Sequence, residues 1–336
     1  MTPKAVIFGC AGPALSAWEA DFFAASDPLG FILFARNCEA PEQIRALTAA
    51  LRATVGRNAP ILIDQEGGRV QRLKPPHWRA APAPRRFGEV AERDPSRARD
   101  AAHLNARLLA AELLAIGVTV DCLPLLDLRF AEAHEVIGDR AFAGEPGPVA
   151  ELGRACCEGL LAGGVLPVIK HIPGHGRALV DSHHTLPRVA TERAELERSD
   201  FASFRDLADM PLAMTGHVVY ESIDPDEPAT TSAKVIDEVI RGWMGFDGLL
   251  MSDDLSMAAL AGDLGERAAR SLAAGCDVAL HCNGDAEEMD AVARAVGPLS
   301  TAAVRRWQSA EARLVAPTAI DPAEASDRLD ALLGLG

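Results

Sequence analysis

Eight short apolar runs, each followed by a stretch of helical composition, constrain this chain more than any other feature. They fall at residues 6–8, 31–34, 61–63, 118–123, 168–169, 212–214, 249–251 and 278–280. Runs of this length, bounded by glycine, proline or polar residues, read as buried strands. Strands that alternate with helices imply a parallel sheet. Eight such units in one chain point to an α/β fold of one kind, a single (β/α)8 TIM barrel over residues 1–336. Length alone suggests roughly two domains, but barrels of this size are common as one. The residues after the runs support closure. Arg36-Asn37, Asp64-Gln65-Glu66, Asp127, Lys170-His171, Thr215-Gly216-His217, Ser252-Asp253-Asp254 and His281-Cys282-Asn283 each follow a strand candidate. A barrel gathers all such ends around one pocket, whereas an open sheet gathers only those near its switch point.

Helices are expected at 41–55, 96–116 (with Gly117 as its C-cap), 147–162 (stopping at Gly163-Gly164), 191–207 and 316–336. The Pro- and Arg-rich stretch 74–95 reads as an irregular loop. No linker divides the chain. The net charge of −15, from 33 basic and 48 acidic residues, argues against nucleic acid or an anionic membrane as partner. No apolar stretch reaches the ~18 residues of a membrane span, and the N-terminus has no secretory pattern. Seven cysteines without a C-x-x-C read as reduced thiols in a cytoplasmic protein.

The chemistry concentrates after the fifth strand candidate. Lys170-His171-Ile172-Pro173-Gly174-His175-Gly176 and then Asp181-Ser182-His183 place a cation, three histidines and a carboxylate within fourteen positions. Pro173 and the glycines forbid a helix, so these groups are expected on a loop at the strand's C-terminal end. His171 and His175 have the spacing of a helical metal pair, but without the helix and with His183-His184 adjacent, metal ligation is disfavoured. Asp181-Ser182-His183 reads as a carboxylate that orients an imidazole for proton transfer. A Ser-His-Asp hydrolase is disfavoured because no G-x-S-x-G elbow is present. Asp253, at the end of the seventh strand, suits a nucleophile or general base, while Asp254 is better placed to cap or brace. Asp64 through Arg72 offers acid and guanidinium groups to hydroxyls, with Gly67-Gly68 allowing close backbone approach. Arg140, in Gly138-Asp139-Arg140-Ala141-Phe142, is a weak signal alone.

Together these segments, with Gly30 through Asn37 and Ser252 through Met257, closely resemble glycoside hydrolase family 3, and within it the bacterial cytoplasmic β-N-acetylhexosaminidases. The resemblance covers nearly the whole chain. It implies a TIM barrel, retaining cleavage of terminal β-linked N-acetylglucosamine, and neither cofactor nor metal. It places the nucleophile on Asp253, the acid/base on His183 with Asp181 as its partner, and sugar contacts on Asp64, Arg72, Arg140, Lys170 and His171. Retaining glycosidases usually employ two carboxyl groups. An Asp-paired imidazole, already near the operating pH, serves the same end.

The expected activity is thus removal of N-acetylglucosamine from peptidoglycan-derived anhydro-muropeptides in cell-wall recycling. The expected partner is a small carbohydrate, the site of action the cytoplasm, and the acting unit a monomer. The rival on the same scaffold is a β-N-acetylglucosaminide phosphorylase. A non-catalytic sugar sensor would need neither Asp253 nor His183, and a metal-dependent amidohydrolase would be sensitive to chelators.

Overall fold

The computed structural model describes every residue except Met1, His134, His183, His184 and Gly336. Eight parallel strands close on themselves: β1 (Lys4–Gly9), β2 (Pro28–Leu33), β3 (Ile61–Ile63), β4 (Val120–Asp121), β5 (Leu166–Ile172), β6 (Leu212–Thr215), β7 (Leu249–Asp254) and β8 (Val278–His281). Each pairs with its neighbours in sequence, and β1 with β8. Every strand matches one of the eight apolar runs.

Side chains alternate across each strand. Ala5 and Ile7 of β1 fill the barrel with Leu62, Val120, Leu166, Val168, Leu212, Met214, Leu249, Met251, Val278 and Leu280. Val6 and Phe8 point the other way, with Ile61, Ile63, Ile169, Ala213, Leu250 and Ala279, into the layer beneath the helices. The same parity, carried one step past the apolar layer, turns Asp64 after Leu62, Lys170 after Val168 and Asp253 after Met251 inward at the C-terminal rim. The opposite end is stopped by the helix Thr301–Glu311, whose Ala303 and Ala310 join the interior cluster.

The helices follow local rules. Pro41–Val55 has Pro41 in its first turn, buries Ile44, Leu47 and Leu51, and ends at Gly56 with φ 62°. The expected helix at 96–116 is Pro95–Leu114, capped by Asp94, and that at 147–162 is Pro146–Ala162. The C-terminal helix is Pro322–Leu333, capped by Asp321.

Three expectations are corrected. Stretch 74–95 contains a helix, Pro84–Ala91, entered through Pro84 and burying Phe87 and Gly88. A Cβ on Gly88 would lie 1.7 Å from the Phe142 carbonyl oxygen, so this helix docks by backbone contact. The span 191–207 is two helices, Arg193–Arg198 and Ala202–Asp206, separated where Asp200 is buried and bound by Arg177 at 2.7 Å. Strand β5 runs to Ile172, which pairs with Thr215. Lys170 and His171 are therefore strand residues, more rigidly held than loop residues would be.

All seven cysteines are free thiols. Among the described residues no helix is long and apolar enough to cross a membrane.

Candidate active site

A pocket of about 290 Å³ opens at the C-terminal rim. Its charged lining comes from the ends of β3, β5 and β7 and the loops that follow β3 and β4: Asp64, Glu66, Arg69, Arg72, Arg140, Lys170, His171, Asp253 and Asp254, with His175 and Ser182. Ile32, Phe34, Met214, Met257 and Leu280 supply apolar wall. Apolar walls with a few convergent polar groups are what small-ligand sites present.

Directly after β3 the chain makes a tight antiparallel turn between Gln65–Gly67 and Val70–Gln71. Gln65 holds it: its side-chain oxygen accepts the N–H groups of Arg72 at 2.9 Å and Leu73 at 3.0 Å, and its own N–H donates to Asp121 at 3.0 Å. Gly67 and Gly68 have φ of 95° and 57°, and a Cβ on either would meet Pro82 or Ala83 at 2.3 or 2.7 Å. The two glycines therefore serve the turn and its packing, not the approach of a ligand. Phe34 lies under the Arg72 guanidinium, 5.3 Å from ring centroid to the charge.

This turn feeds a chain of buried charges. Arg140 forks onto Glu66 with both contacts at 2.9 Å. Lys170 Nζ sits 2.7 Å from Glu66 and 2.7 Å from Asp64. Arg72 reaches the other oxygen of Asp64 at 3.1 Å. Burial works against both carboxylates, but the facing cations prevail: Arg140 and Lys170 take Glu66 down to about 2, and Lys170 and Arg72 hold Asp64 well below the carboxylate range. Burial likewise opposes the charge on Lys170, yet Asp64 and Glu66 raise its pKa above the usual lysine value. The result is a fixed row of donors and acceptors suited to a polyhydroxylated ligand.

Asp127 is wholly buried and organises the histidines. His171 Nδ1 lies 2.7 Å from its Oδ2, and the N–H groups of His171 and His175 donate to its Oδ1 at 3.2 and 2.7 Å. Charge and N–H donation from the two histidines overcome burial and keep Asp127 low. The bond to Asp127 puts the Nδ1 proton on the shared side and leaves the other ring nitrogen of His171 for the pocket. His175 Nε2 meets Ser182 Oγ at 3.0 Å. Burial and the neighbouring His171 lower His175 to about 4. Each of these histidines thus has one ring nitrogen committed to a protein oxygen.

At the end of β7 the pairing with β8 shifts register between Met251 and Asp254. Asp254 braces this irregularity by accepting from Ser256 N at 3.1 Å, Ser256 Oγ at 2.6 Å and Cys282 N at 3.2 Å. His217 Nε2 contacts the Asp254 carbonyl at 3.0 Å and its Nδ1 meets Thr230 at 2.7 Å. A carbonyl only accepts, so Nε2 carries the proton. Burial lowers the His217 pKa, leaving a neutral ring whose Nδ1 accepts from Thr230. Thr215, 2.7 Å from Thr230, receives the Asp253 N–H at 3.3 Å. The Asp253 carboxylate takes the Asp254 N–H on Oδ1 at 2.8 Å. Among the described residues its second oxygen meets no donor and no Lys or Arg pairs with it. Burial opposes its ionisation, but His171, His217, the Asp254 N–H and Lys170 hold its pKa below the ordinary value.

Asp64, Arg72, Arg140, Lys170, His171 and Asp253 thus line one pocket. Ser182 lines the same pocket with Asp181 half-buried beside it. His183 lies outside the described residues, and its pairing with Asp181 with it. The sequence reading passed over Glu66, Asp127 and His175 as site residues. Glu66 and Asp127 stood after strand candidates, which was the available signal; their partners, 74 and 44 positions away, were not visible.

The chain matches the glycosyl hydrolase family 3 N-terminal domain over residues 22–315. It is 45% identical over 284 residues to the β-hexosaminidase of Alkalilimnicola ehrlichii, covering 83% of this chain and 80% of that one. With the β-hexosaminidase of Chromobacterium violaceum it shares 42% over 299 residues, 87% of this chain and 82% of the other. Among solved structures, NagZ from Neisseria gonorrhoeae in complex with N-trifluoroacetyl-D-glucosamine aligns with a TM-score of 0.90 and 33% identity, over 99% of both chains. The family 3 β-N-acetylglucosaminidase from Paenibacillus sp. aligns with a TM-score of 0.86 and 29% identity, over 98% of this chain and 66% of that one. On fold, site and sequence alike, the chain belongs to glycosyl hydrolase family 3, as a glycoside hydrolase of the β-hexosaminidase group.

Proposed function

We propose that the protein is a retaining exo-β-N-acetylglucosaminidase that releases terminal N-acetylglucosamine from peptidoglycan-derived anhydro-muropeptides, acting as a cytoplasmic monomer in cell-wall recycling. The observation that carries the mechanism is the division of labour among the four carboxylates lining the pocket. Asp64 and Glu66 are saturated by cations. Asp254 is committed to Ser256 and Cys282. Among the described residues Asp253 alone of these four keeps a carboxylate oxygen without a donor while its pKa is held below the ordinary value, which is what an attacking carboxylate needs.

In this reading Asp253 attacks the anomeric carbon and forms a glycosyl ester. The departing aglycone oxygen takes a proton from His183, which Asp181 orients. The imidazole, now neutral, takes a proton from the water that cleaves the ester. Asp64, Lys170, Arg72, Arg140 and His171 hold the sugar, so that binding energy fixes the anomeric carbon against Asp253. The N-trifluoroacetyl-D-glucosamine bound by the gonococcal relative supports an N-acylated sugar as ligand.

The test is turnover of a chromogenic β-N-acetylglucosaminide with and without phosphate, beside the matching glucoside. The expected result is rapid hydrolysis of the first, little of the second, and no dependence on phosphate. Preference for the glucoside would overturn the sugar assignment. Turnover that requires phosphate and yields a sugar phosphate would make the enzyme a phosphorylase.

A further inference from the structure

Behind the Asp253 side of the pocket lies a buried polar chain that the chemistry above does not use. The pairing of β7 with β6 runs from Leu249 and Leu212 to Met251 and Met214. Beyond it side chains take over from backbone. The Asp253 N–H donates to Thr215 Oγ1 at 3.3 Å, and Thr215 Oγ1 meets Thr230 Oγ1 at 2.7 Å. Thr230 Oγ1 meets His217 Nδ1 at 2.7 Å, and His217 Nε2 reaches the Asp254 carbonyl at 3.0 Å. The chain thus starts and ends on the two last residues of β7. Thr215 and His217 stand two positions apart, the spacing that puts side chains of an extended segment on one side. Thr230 returns to them from a loop, fixed where the Ala229 N–H donates to the Val218 carbonyl at 2.8 Å. All three residues are 0% exposed, and none is among the described residues that line the pocket. The two ends settle the direction of each proton. A carbonyl only accepts, so His217 Nε2 carries the hydrogen, and in the neutral ring Nδ1 accepts. Thr230 therefore gives its hydrogen to His217, with the Gly216 carbonyl at 3.3 Å as a longer alternative. It accepts from Thr215, which accepts in turn from the Asp253 N–H.

We infer, on the reading of Asp253 as nucleophile, that Thr215, Thr230 and His217 form a cradle that fixes the Asp253–Asp254 backbone and so aims the attacking carboxylate, making all three positioning residues for the reaction. The link to the carboxylate is short. Asp253 Oδ1 takes the Asp254 N–H at 2.8 Å, and the carbonyl of that same Asp254 is the group His217 holds. The Met257 N–H also reaches this carbonyl at 3.2 Å, but from the turn that directly follows β7. On the β8 side the strand end is tied through the Asp254 carboxylate to the Cys282 N–H at 3.2 Å. The cradle is its counterpart on the β6 side. The cations and carboxylates read as sugar contacts come instead from β5, from the end of β3 and from the loop after β4. The cradle should therefore govern attack without governing affinity.

Thr230→Val removes the central hydroxyl while keeping the side chain's shape, and Thr230→Ser keeps the hydroxyl. Thermal unfolding checks that each variant is folded; Thr215→Val makes the same measurement should Thr230→Val not fold. Three quantities are read: kcat on a chromogenic β-N-acetylglucosaminide, the rate at which a slow fluorinated N-acetylglucosaminide labels the protein, and inhibition by free N-acetylglucosamine. Misplacing a reacting group by about 1 Å can cost of order a hundredfold, so Thr230→Val is expected to lose about tenfold to a hundredfold in kcat and in labelling rate, with its inhibition constant within about twofold of wild type. Thr230→Ser should regain most of the loss. His217→Gln, whose amide can still donate to the Asp254 carbonyl, should be milder than His217→Leu. Adding Thr215→Val to Thr230→Val should cost little more, since both break one chain. Unchanged kcat in folded Thr230→Val overturns the cradle. So does equal loss of turnover and of inhibitor binding, or a Thr230→Ser as impaired as Thr230→Val. A sugar label on a carboxylate other than Asp253 refutes the nucleophile itself. Labelling of Asp253 at the wild-type rate in Thr230→Val refutes the cradle alone and leaves the nucleophile standing.

Discussion

Replacing Glu66 by Gln removes one negative charge from the middle of the row Arg140–Glu66–Lys170–Asp64–Arg72 while keeping the side chain's shape. Glu66 is 1% exposed, so solvent does little to screen it. Folding takes its carboxyl from an ordinary 4.5 to about 2 through Arg140 and Lys170, against the opposing effect of burial. At about 1.4 kcal/mol per tenfold change in proton affinity, that depression stabilises the folded state by about 3 kcal/mol at neutral pH. Breaking a buried ion pair by removing one partner costs about 3–5 kcal/mol, in agreement. Because the folded pKa lies below the unfolded one, the stabilisation is complete above the ordinary value and is lost as pH falls through the folded value. The gap in unfolding free energy between wild type and Glu66→Gln should be about 3 kcal/mol at pH 7 and should fall to roughly half that at pH 3. Denaturant titrations at both pH values measure it. KM should rise about tenfold as Arg140 and Lys170 lose their shared anchor. Equal stability of the two proteins at pH 7, or a gap that does not shrink on acidification, would refute the electrostatic argument.

Asp253→Ala should abolish turnover by several orders of magnitude with the fold retained, whereas Asp254→Ala should act more mildly through its bracing of the β7 end; the reverse order in steady-state kinetics would exchange their roles. His183→Ala should hurt substrates with poor leaving groups far more than activated aryl glycosides, and azide should partly restore turnover. Asp181→Ala should give a weaker version of the same pattern and His184→Ala should be nearly neutral, as read by leaving-group dependence. Asp127→Asn removes the charge that orients His171 and ties down His175, so kcat/KM should fall about tenfold to a hundredfold; a change under twofold would mean that Asp127 only fills space.

The barrel was legible because a closed parallel sheet writes a simple pattern: an apolar run, a polar strand end, a helix, eight times over. Strand ends were less so. At β5 the polar pair Lys170-His171 stops the apolar run, yet backbone pairing with β6 continues beneath it, since Lys170 is neutralised by carboxylates from another segment. Helix Pro84–Ala91 was hidden by composition, for proline signals a loop unless it occupies the first turn. The site was legible where residue type and strand-end position coincide, as at Asp64, Lys170 and Asp253. Glu66 and Asp127 carried the same positional signal, but their importance lies in partners brought close only by closure of the barrel.

In the proposed mechanism Asp253 becomes the site of a covalent glycosyl intermediate. A slow fluorinated N-acetylglucosaminide with a good leaving group should trap it, and mass spectrometry of the intact and digested protein locates the adduct. One added sugar per chain is expected, on the peptide that contains Asp253, and none in Asp253→Ala. A sugar attached to another carboxylate, or turnover of the reagent with no adduct and an inverted product anomer, would contradict it.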